Sequence, residues 1–201
     1  ILNESLSKYN WFNLGGPANI FFRPENKEQL KDFLSEIKGE DNKVHILGAG
    51  SNTLFRDSGV KGIVIKLSSK FADIKLIEKD IIEVGAATLD KRVSDFAKNN
   101  SISGMEFLSC IPGSIGGAVI MNSGCYGSDI SQILESIKVI DRYGQEKEIK
   151  KNQIDFYYRG ANLPKNITII SARLKGKLSS KSVIEKKQNY LIDKKKESQP
   201  S

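Results

Sequence analysis

Residues 110–127 read CIPGSIGGAVIMNSGCYG. Five of these positions are glycine (Gly113, Gly116, Gly117, Gly124 and Gly127), and none is charged. Pro112 fixes a turn, and the Gly116–Gly117 pair permits a backbone approach that any Cβ would block. Ser114 adds a hydroxyl donor. Two readings fit this loop taken alone. It is a close packing joint between two sheets, or it is a stretch of bare backbone whose N–H groups meet a ligand.

A second glycine loop, LGAGSN at residues 47–52, follows the strand-like run KVHI. Glycines at positive φ let successive N–H groups converge on one anion, and a pyrophosphate is the natural guest. Gly48 and Gly50 match the start of the dinucleotide fingerprint GxGxxG. The match then fails, because Thr53 stands at the last glycine and TLFRDSG does not continue as an amphipathic helix. The phosphate loop GxxxxGK[ST] is absent. Alone, this loop reads equally well as a tight strand-to-loop turn. Together, two uncharged, donor-rich loops can grip an extended dinucleotide from both sides, with Ser51 and Asn52 adding side-chain donors.

The elements around the loops mix. ENKEQLKDFLSEIKG places Leu30, Phe33, Leu34 and Ile37 on one helix face, ended by Gly39. KVHILG predicts a short buried strand and KGIVIKL another. DIKLIEKDIIEVGA reads as a hairpin turning near Lys79–Asp80, and ESIKVIDRYGQEKEIK as one turning around Tyr143–Gly144. TLDKRVSDFAKNN predicts a helix with Thr88 as N-cap and Leu89, Val93, Phe96 and Ala97 inward. NITIISARL is a strand, and the chain turns helical and polar from about Ser180. Strict βα alternation would give an all-parallel sheet. The hairpins indicate instead an α+β fold with mixed sheets, divided near residues 67–70.

The 201 residues suffice for one large or two small cores, and 39% hydrophobic with 27% charged residues is a globular composition. No apolar run approaches the ~20 residues that span a bilayer. Residues 1–10 lack the features of a signal peptide, and without a starting Met the N-terminus reads as clipped or processed. The net charge of +7 invites a nucleic-acid reading, but the lysines are scattered and no aromatic residues interleave with them on one surface. No nucleic acid and no membrane is expected as a partner. With one histidine, His45, and two cysteines, Cys110 and Cys125, no metal site is expected; the thiols read as free packing residues. His45 reads as an ordinary strand residue and Glu106 as structural.

Four motifs, WFNLGGPA, LGAGSNTLFRDSGVKGIVI, EFLSCIPGSIGGAVIMNSGCYG and IDFYYRG, come in an order and spacing that resemble the UDP-N-acetylenolpyruvoylglucosamine reductase family. The resemblance covers essentially the whole chain. It implies a two-subdomain FAD-binding fold of the vanillyl-alcohol-oxidase / p-cresol methylhydroxylase type. The parts would be residues 1–67 and 68–178, with 179–201 beginning a substrate-binding domain. It further implies FAD between the subdomains, with Gly48, Gly50, Ser51 and Asn52 on one side. On the other side would lie Pro112, Gly113, Ser114, Gly116 and Gly117, with Asn122 near the same ligand. NADPH would be the hydride-donating co-substrate, and a small-molecule UDP-sugar enolpyruvyl ether the acceptor in cytoplasmic peptidoglycan synthesis. FYYRG matches the family's Tyr-Arg motif, which makes Arg159 the residue expected to steady charge beside the substrate carboxylate. Without that resemblance, Arg159 reads as a surface ion pair.

The chain departs from the family pattern at Ala161, where Ser or Thr is usual, and at Asn13, where a basic residue is common. Gln199–Pro200 matches a pair that in the family leads into a third domain, and Ser201 comes too early to be the serine proton donor carried there. On this reading the chain lacks the proton donor and a later glutamate, retains FAD weakly or not at all, and is inactive alone. Two alternatives remain at this point: a non-catalytic FAD or nucleotide-binding module, and a different FAD oxidoreductase of the same fold. The oligomeric state is not legible.

Overall fold

The computed structural model describes residues 1–39 and 43–199. The expectations for Pro200 and Ser201 lie outside the described residues. Along the chain run β1 (Leu2–Ser5), β2 (Pro17–Phe22), α1 (Lys27–Glu36), β3 (Val44–Ile46), β4 (Val60–Ile65), β5 (Ile74–Leu76) and β6 (Ile81–Gly85). Then come α2 (Asp90–Asn99), β7 (Ile102–Ser103), α3 (Ile115–Ile120), β8 (Gly124–Cys125), β9 (Ser128–Asp129) and β10 (Leu134–Asp141). The chain continues through β11 (Glu146–Lys150), β12 (Asp155–Tyr157), β13 (Gly160–Asn162), β14 (Ile167–Lys175), β15 (Lys177–Leu178) and α4 (Lys181–Ser198). The class is α+β.

The first sheet has the order β1-β2-β4-β3. Its β1–β2 pair is antiparallel, while β2–β4 and β3–β4 are parallel. Successive side chains on a strand face opposite ways. On β4, Ile63 and Ile65 therefore pack with Leu30 and Leu34 of α1, while Val64 packs with Leu6, Ala18, Phe21 and Leu47 on the other face. Helix α1 starts where Asn26 accepts the Gln29 N–H through its side chain, as an N-cap does. β3 departs from the buried strand expected of KVHI. It is the sheet edge, paired on one side only, and all three of its residues are exposed, His45 among them.

The second sheet, β11-β10-β14-β6-β5, is antiparallel throughout. Both hairpins expected from the sequence form, β5–β6 and β10–β11, and the second turns at Gly144, whose φ is +77°. The main apolar core lies on this sheet, where Val84, Ile137, Val139 and Leu174 meet Val93 and Ala97 of α2, Ile115 and Val119 of α3, and Leu191 of α4. Ile140 and Ile170 of the same sheet reach Leu30, Leu34, Ile63 and Ile65, so α1 and β4 tie the first sheet to the second.

Helix α2 begins one residue later than expected. Leu89, not Thr88, is its N-cap residue, and Leu89 is 50% exposed rather than inward. The cause is a tertiary pairing. Leu89 and Ser114 form an isolated antiparallel bridge, closed by Asp90 N–H to Gly113 O at 3.1 Å and Ile115 N–H to Thr88 O at 3.0 Å. That bridge fixes the helix start and brings the second glycine loop against α2.

Candidate functional site

Between the two sheets runs a cleft of about 700 Å³. One wall is the end of β3 and the first glycine loop, including Leu47, Gly48 and Ala49, with Lys66 and Ser68 after β4. The other is the second glycine loop, from Cys110 to Gly117, with Leu89 and Ile120. Trp11 stands on the rim, 62% exposed. The two loops approach each other at Gly48 and Ser114. A Cβ built on Gly48 would lie 2.9 Å from Ser114 Oγ.

The glycines divide into those that pack and those that face the cleft. Gly116 donates its N–H to Ala86 O at 2.9 Å, and a Cβ there would sit 3.1 Å from the Ala86 Cβ. It is therefore a packing joint between α3 and the end of β6, although it also borders the cleft. Gly50, at φ +74°, packs on Tyr9, whose carbonyl oxygen lies 2.1 Å from where a Cβ would fall. Gly50, Ser51 and Asn52 stand behind the cleft wall rather than on it. Gly48, Pro112, Gly113, Ser114 and Gly117 line it.

Among the described residues, no acceptor takes the backbone N–H groups of residues 48–52, nor those of Gly113 and Ser114. Two loops thus present unspent donors from opposite walls, the arrangement that suits an extended anion. The hydroxyl of Ser114 is buried and also unpartnered. Cations stand close by. Lys66 donates to Gly48 O, and Lys195 of α4 donates to Cys110 O at 2.9 Å; both amines border the cleft. Burial, reinforced by Arg23, holds the Lys66 amine below the usual lysine range. Free amides, an unpaired hydroxyl, four bordering cations (Lys66, Lys91, Arg92 and Lys195) and apolar walls fit a dinucleotide with a diphosphate and flat rings, FAD included.

Asn122 and Arg159 do not lie in this cleft. They share a neighbouring recess of about 580 Å³ with Tyr126, Tyr157 and Tyr158. Asn122 is a bracket within it. It donates to Tyr157 O at 3.2 Å and accepts the Ser131 N–H at 3.0 Å, so its amide is spent on the fold. Arg159 sits at φ +61° in the two-residue turn between β12 and β13, exposed. Its guanidinium meets only Gly124 O, at 3.4 Å, and the Tyr158 ring, 5.7 Å to the centroid; it enters no ion pair with a carboxylate among the described residues. Cys110 borders the cleft and Cys125 the recess. Burial, with Cys110 beside it, pushes the Cys125 thiol up to about 12, an inert state. Among the described residues no cluster of His, Cys, Asp and Glu could hold a metal, and no helix is long and apolar enough to cross a membrane.

Sequence reasoning missed Lys66, Lys195 and Asp90. Each sits in an unremarkable context, a strand end, a polar helix and a helix start, and only the folding of α4 and the Leu89–Ser114 bridge onto the cleft marks them.

The family model described as an FAD binding domain matches residues 18–150. The UDP-N-acetylenolpyruvoylglucosamine reductase of Pelagibacter ubique is 45% identical over 98% of this chain and 65% of its own length. That of Rickettsia massiliae is 43% identical over 85% and 57%. That of Wolbachia pipientis from Culex pipiens is 38% identical over 98% and 67%. The crystal structure of the Thermus caldophilus reductase superposes with a TM-score of 0.85 at 31% identity, covering all of this chain and 70% of that one. The chain thus spans about two thirds or less of the length of the curated relatives it matches.

Proposed function

The chain belongs to the UDP-N-acetylenolpyruvoylglucosamine reductase family, and we propose that its cleft holds FAD for the NADPH-dependent reduction of UDP-N-acetylglucosamine enolpyruvate to UDP-N-acetylmuramate. The observation that carries this reading is the run of unspent amides on both glycine loops, meeting at Gly48 and Ser114. Bound FAD supplies the hydride chemistry, and the protein supplies position and charge.

The free N–H groups of Gly48 and Ala49 and of Gly113 and Ser114, which line the cleft, would serve the diphosphate, with Lys66 and Lys195 offsetting its charge. Leu47, Ile120 and Ile169 give apolar surface for rings and keep water from them. Arg159, exposed and free of carboxylate partners, serves the substrate carboxylate from the neighbouring recess. A guanidinium can hold a carboxylate through two parallel N–H bonds and steady the negative charge that develops beside it. Asn122 orients the hairpin that carries Arg159.

In this reading residues 1–67 and 68–178 are the two FAD-binding parts. Residues 179–201 lead toward the substrate side, in a cytoplasmic enzyme of peptidoglycan synthesis. On the family resemblance the proton donor to the substrate comes from outside the cleft, so these 201 residues are not expected to complete turnover by themselves. Equilibrium titration with FAD, followed by flavin fluorescence and visible absorbance, tests the reading. Weak but saturable one-to-one binding with a perturbed flavin spectrum is expected. A folded protein that leaves the flavin spectrum unchanged at all concentrations overturns it.

A further inference from the structure

Four buried side-chain atoms have no hydrogen-bond partner among the described residues: Thr88 Oγ1, both carboxyl oxygens of Asp90, and Ser114 Oγ. All belong to the two chain segments joined by the Leu89–Ser114 bridge, at the back of the second glycine loop. Asp90 is fully buried, at 0% exposure. Its Oδ2 lies 2.6 Å from the position a Cβ on Gly113 would take, so the carboxyl group packs directly on bare Gly113 backbone. A buried polar group normally finds a partner. Here three neighbouring side chains lack one, at the point where the cleft wall has free amides.

We propose that Asp90 is a proton-linked positioning residue for this loop: the cleft takes an anionic dinucleotide with Asp90 protonated and releases it as Asp90 ionises. The inference rests on the FAD reading and adds a control on the same site. An ionised carboxylate behind Gly113 would set negative charge against the diphosphate. It would also draw the Ser114 hydroxyl and the loop amides toward itself. The neutral acid does neither.

The surroundings favour the neutral acid. Burial pushes the Asp90 carboxyl up to about 8, against the pull of the α2 N-terminus on a carboxylate. The Ile111–Ser114 loop brings no titratable group. On β6, Glu83 is spent on Lys138 and Arg173. On α2 itself, Lys91 and Arg92 border the cleft, and Asp95 pairs with Lys98 and Gln188. Glu106 is taken by Lys187 of α4, and Lys195 and Lys66 donate to Cys110 O and Gly48 O. Burial is the sole cause of the Asp90 shift, and none of these cations offsets it.

The proton balance follows. Below about pH 8 the acid is already protonated, and binding exchanges no proton. Above it, ionised protein, one proton and FAD give the complex with neutral Asp90. The association constant then falls about tenfold per pH unit.

The test is a titration of the 201-residue protein with FAD, and with ADP-ribose as a probe that carries the same diphosphate without a flavin ring, from pH 6 to 9. Calorimetry at pH 9 in two buffers of different ionisation enthalpy counts protons. Affinity is expected to be flat to about pH 8 and then to fall for both ligands, with about one proton taken up at pH 9. Asp90→Asn should abolish both the slope and the uptake. A flat wild-type profile without buffer dependence overturns the inference, and this needs no variant. An Asp90→Asn protein that keeps the wild-type slope overturns it too, assigning the proton elsewhere. Absence of saturable FAD binding at every pH overturns the FAD reading itself, and the inference with it.

Discussion

Ser114 Oγ lies 2.9 Å from the point where a Cβ on Gly48 would stand, so the two glycine loops, 66 positions apart in sequence, meet through the one side chain that Gly48 lacks. Gly48→Ala should therefore press the first loop away from the second. The expected result is a loss of FAD affinity of about tenfold or more with only a small loss of stability, since the contact is with a side chain end rather than with backbone. FAD titration beside urea unfolding separates the two effects.

Gly50 should behave in the opposite way. It has φ +74°, and its missing Cβ would lie 2.1 Å from the Tyr9 carbonyl oxygen. Gly50→Ala should destabilise the fold by about 3 kcal/mol or more, because backbone must shift as well as strain. Gly127, at φ +83° with nothing within 4 Å, isolates the strain alone. Gly127→Ala should cost about 1–2 kcal/mol. Equal losses in urea unfolding would show that Gly50 is not packed on Tyr9.

Lys66 donates to Gly48 O and borders the cleft. Lys66→Met keeps the length of the side chain and removes the charge. FAD affinity should fall about tenfold, and its salt dependence should weaken, since one charge no longer faces the diphosphate. An unchanged affinity at low salt would place the diphosphate away from Lys66.

Asp90 should also mark the pH dependence of the ligand-free protein. Its carboxyl is raised from 3.8 to about 8 on folding. Below pH 4 both states hold the proton and the group adds no pH dependence to stability. As pH rises, the unfolded chain releases its proton while the folded one retains it. Stability then declines by up to about 1.4 kcal/mol per pH unit until pH 8, where the decline levels off. Thermal melts of the wild type and Asp90→Asn should diverge between pH 5 and pH 8, the variant gaining. Parallel curves would show that Asp90 is ionised in the folded protein.

Arg159 lies in the recess beside the cleft, not in it. Arg159→Ala should leave the FAD dissociation constant within about twofold of wild type. It should weaken the binding of the enolpyruvyl substrate to the FAD-loaded protein, read as a flavin difference spectrum. A large loss of FAD affinity with intact folding would move Arg159 into the cofactor site.

The local vocabulary of this fold is written in short runs of the chain. Alternation in DIKLIEKDIIEVGA and ESIKVIDRYGQEKEIK specifies two hairpins, because period-two burial and a turn residue act between neighbours. Helix α1 follows from its 3.6-residue spacing and its Asn26 cap. The two glycine loops stand out because bare backbone is rare in such density.

The tasks assigned within those loops come from contacts made at a distance. Nothing in LGAGSN tells that Gly50 is pinned by Tyr9 while Gly48 opens onto Ser114. The apolar letters of KVHI promise burial, but burial depends on a second neighbour, and β3 is the sheet edge. Thr88 looks like a cap until the Leu89–Ser114 bridge moves the helix start and leaves Asp90 under the loop. Asn122, expected near the cofactor, lies instead with Arg159 in an adjoining recess, because the β12–β13 hairpin folds onto the end of α3. Backbone propensity and side-chain period are local quantities, so the chain itself sets the elements and the donor-rich loops. Solvent exclusion, proton affinity and the distance between loops belong to the packed molecule, and they exist only once the two sheets close on the cleft.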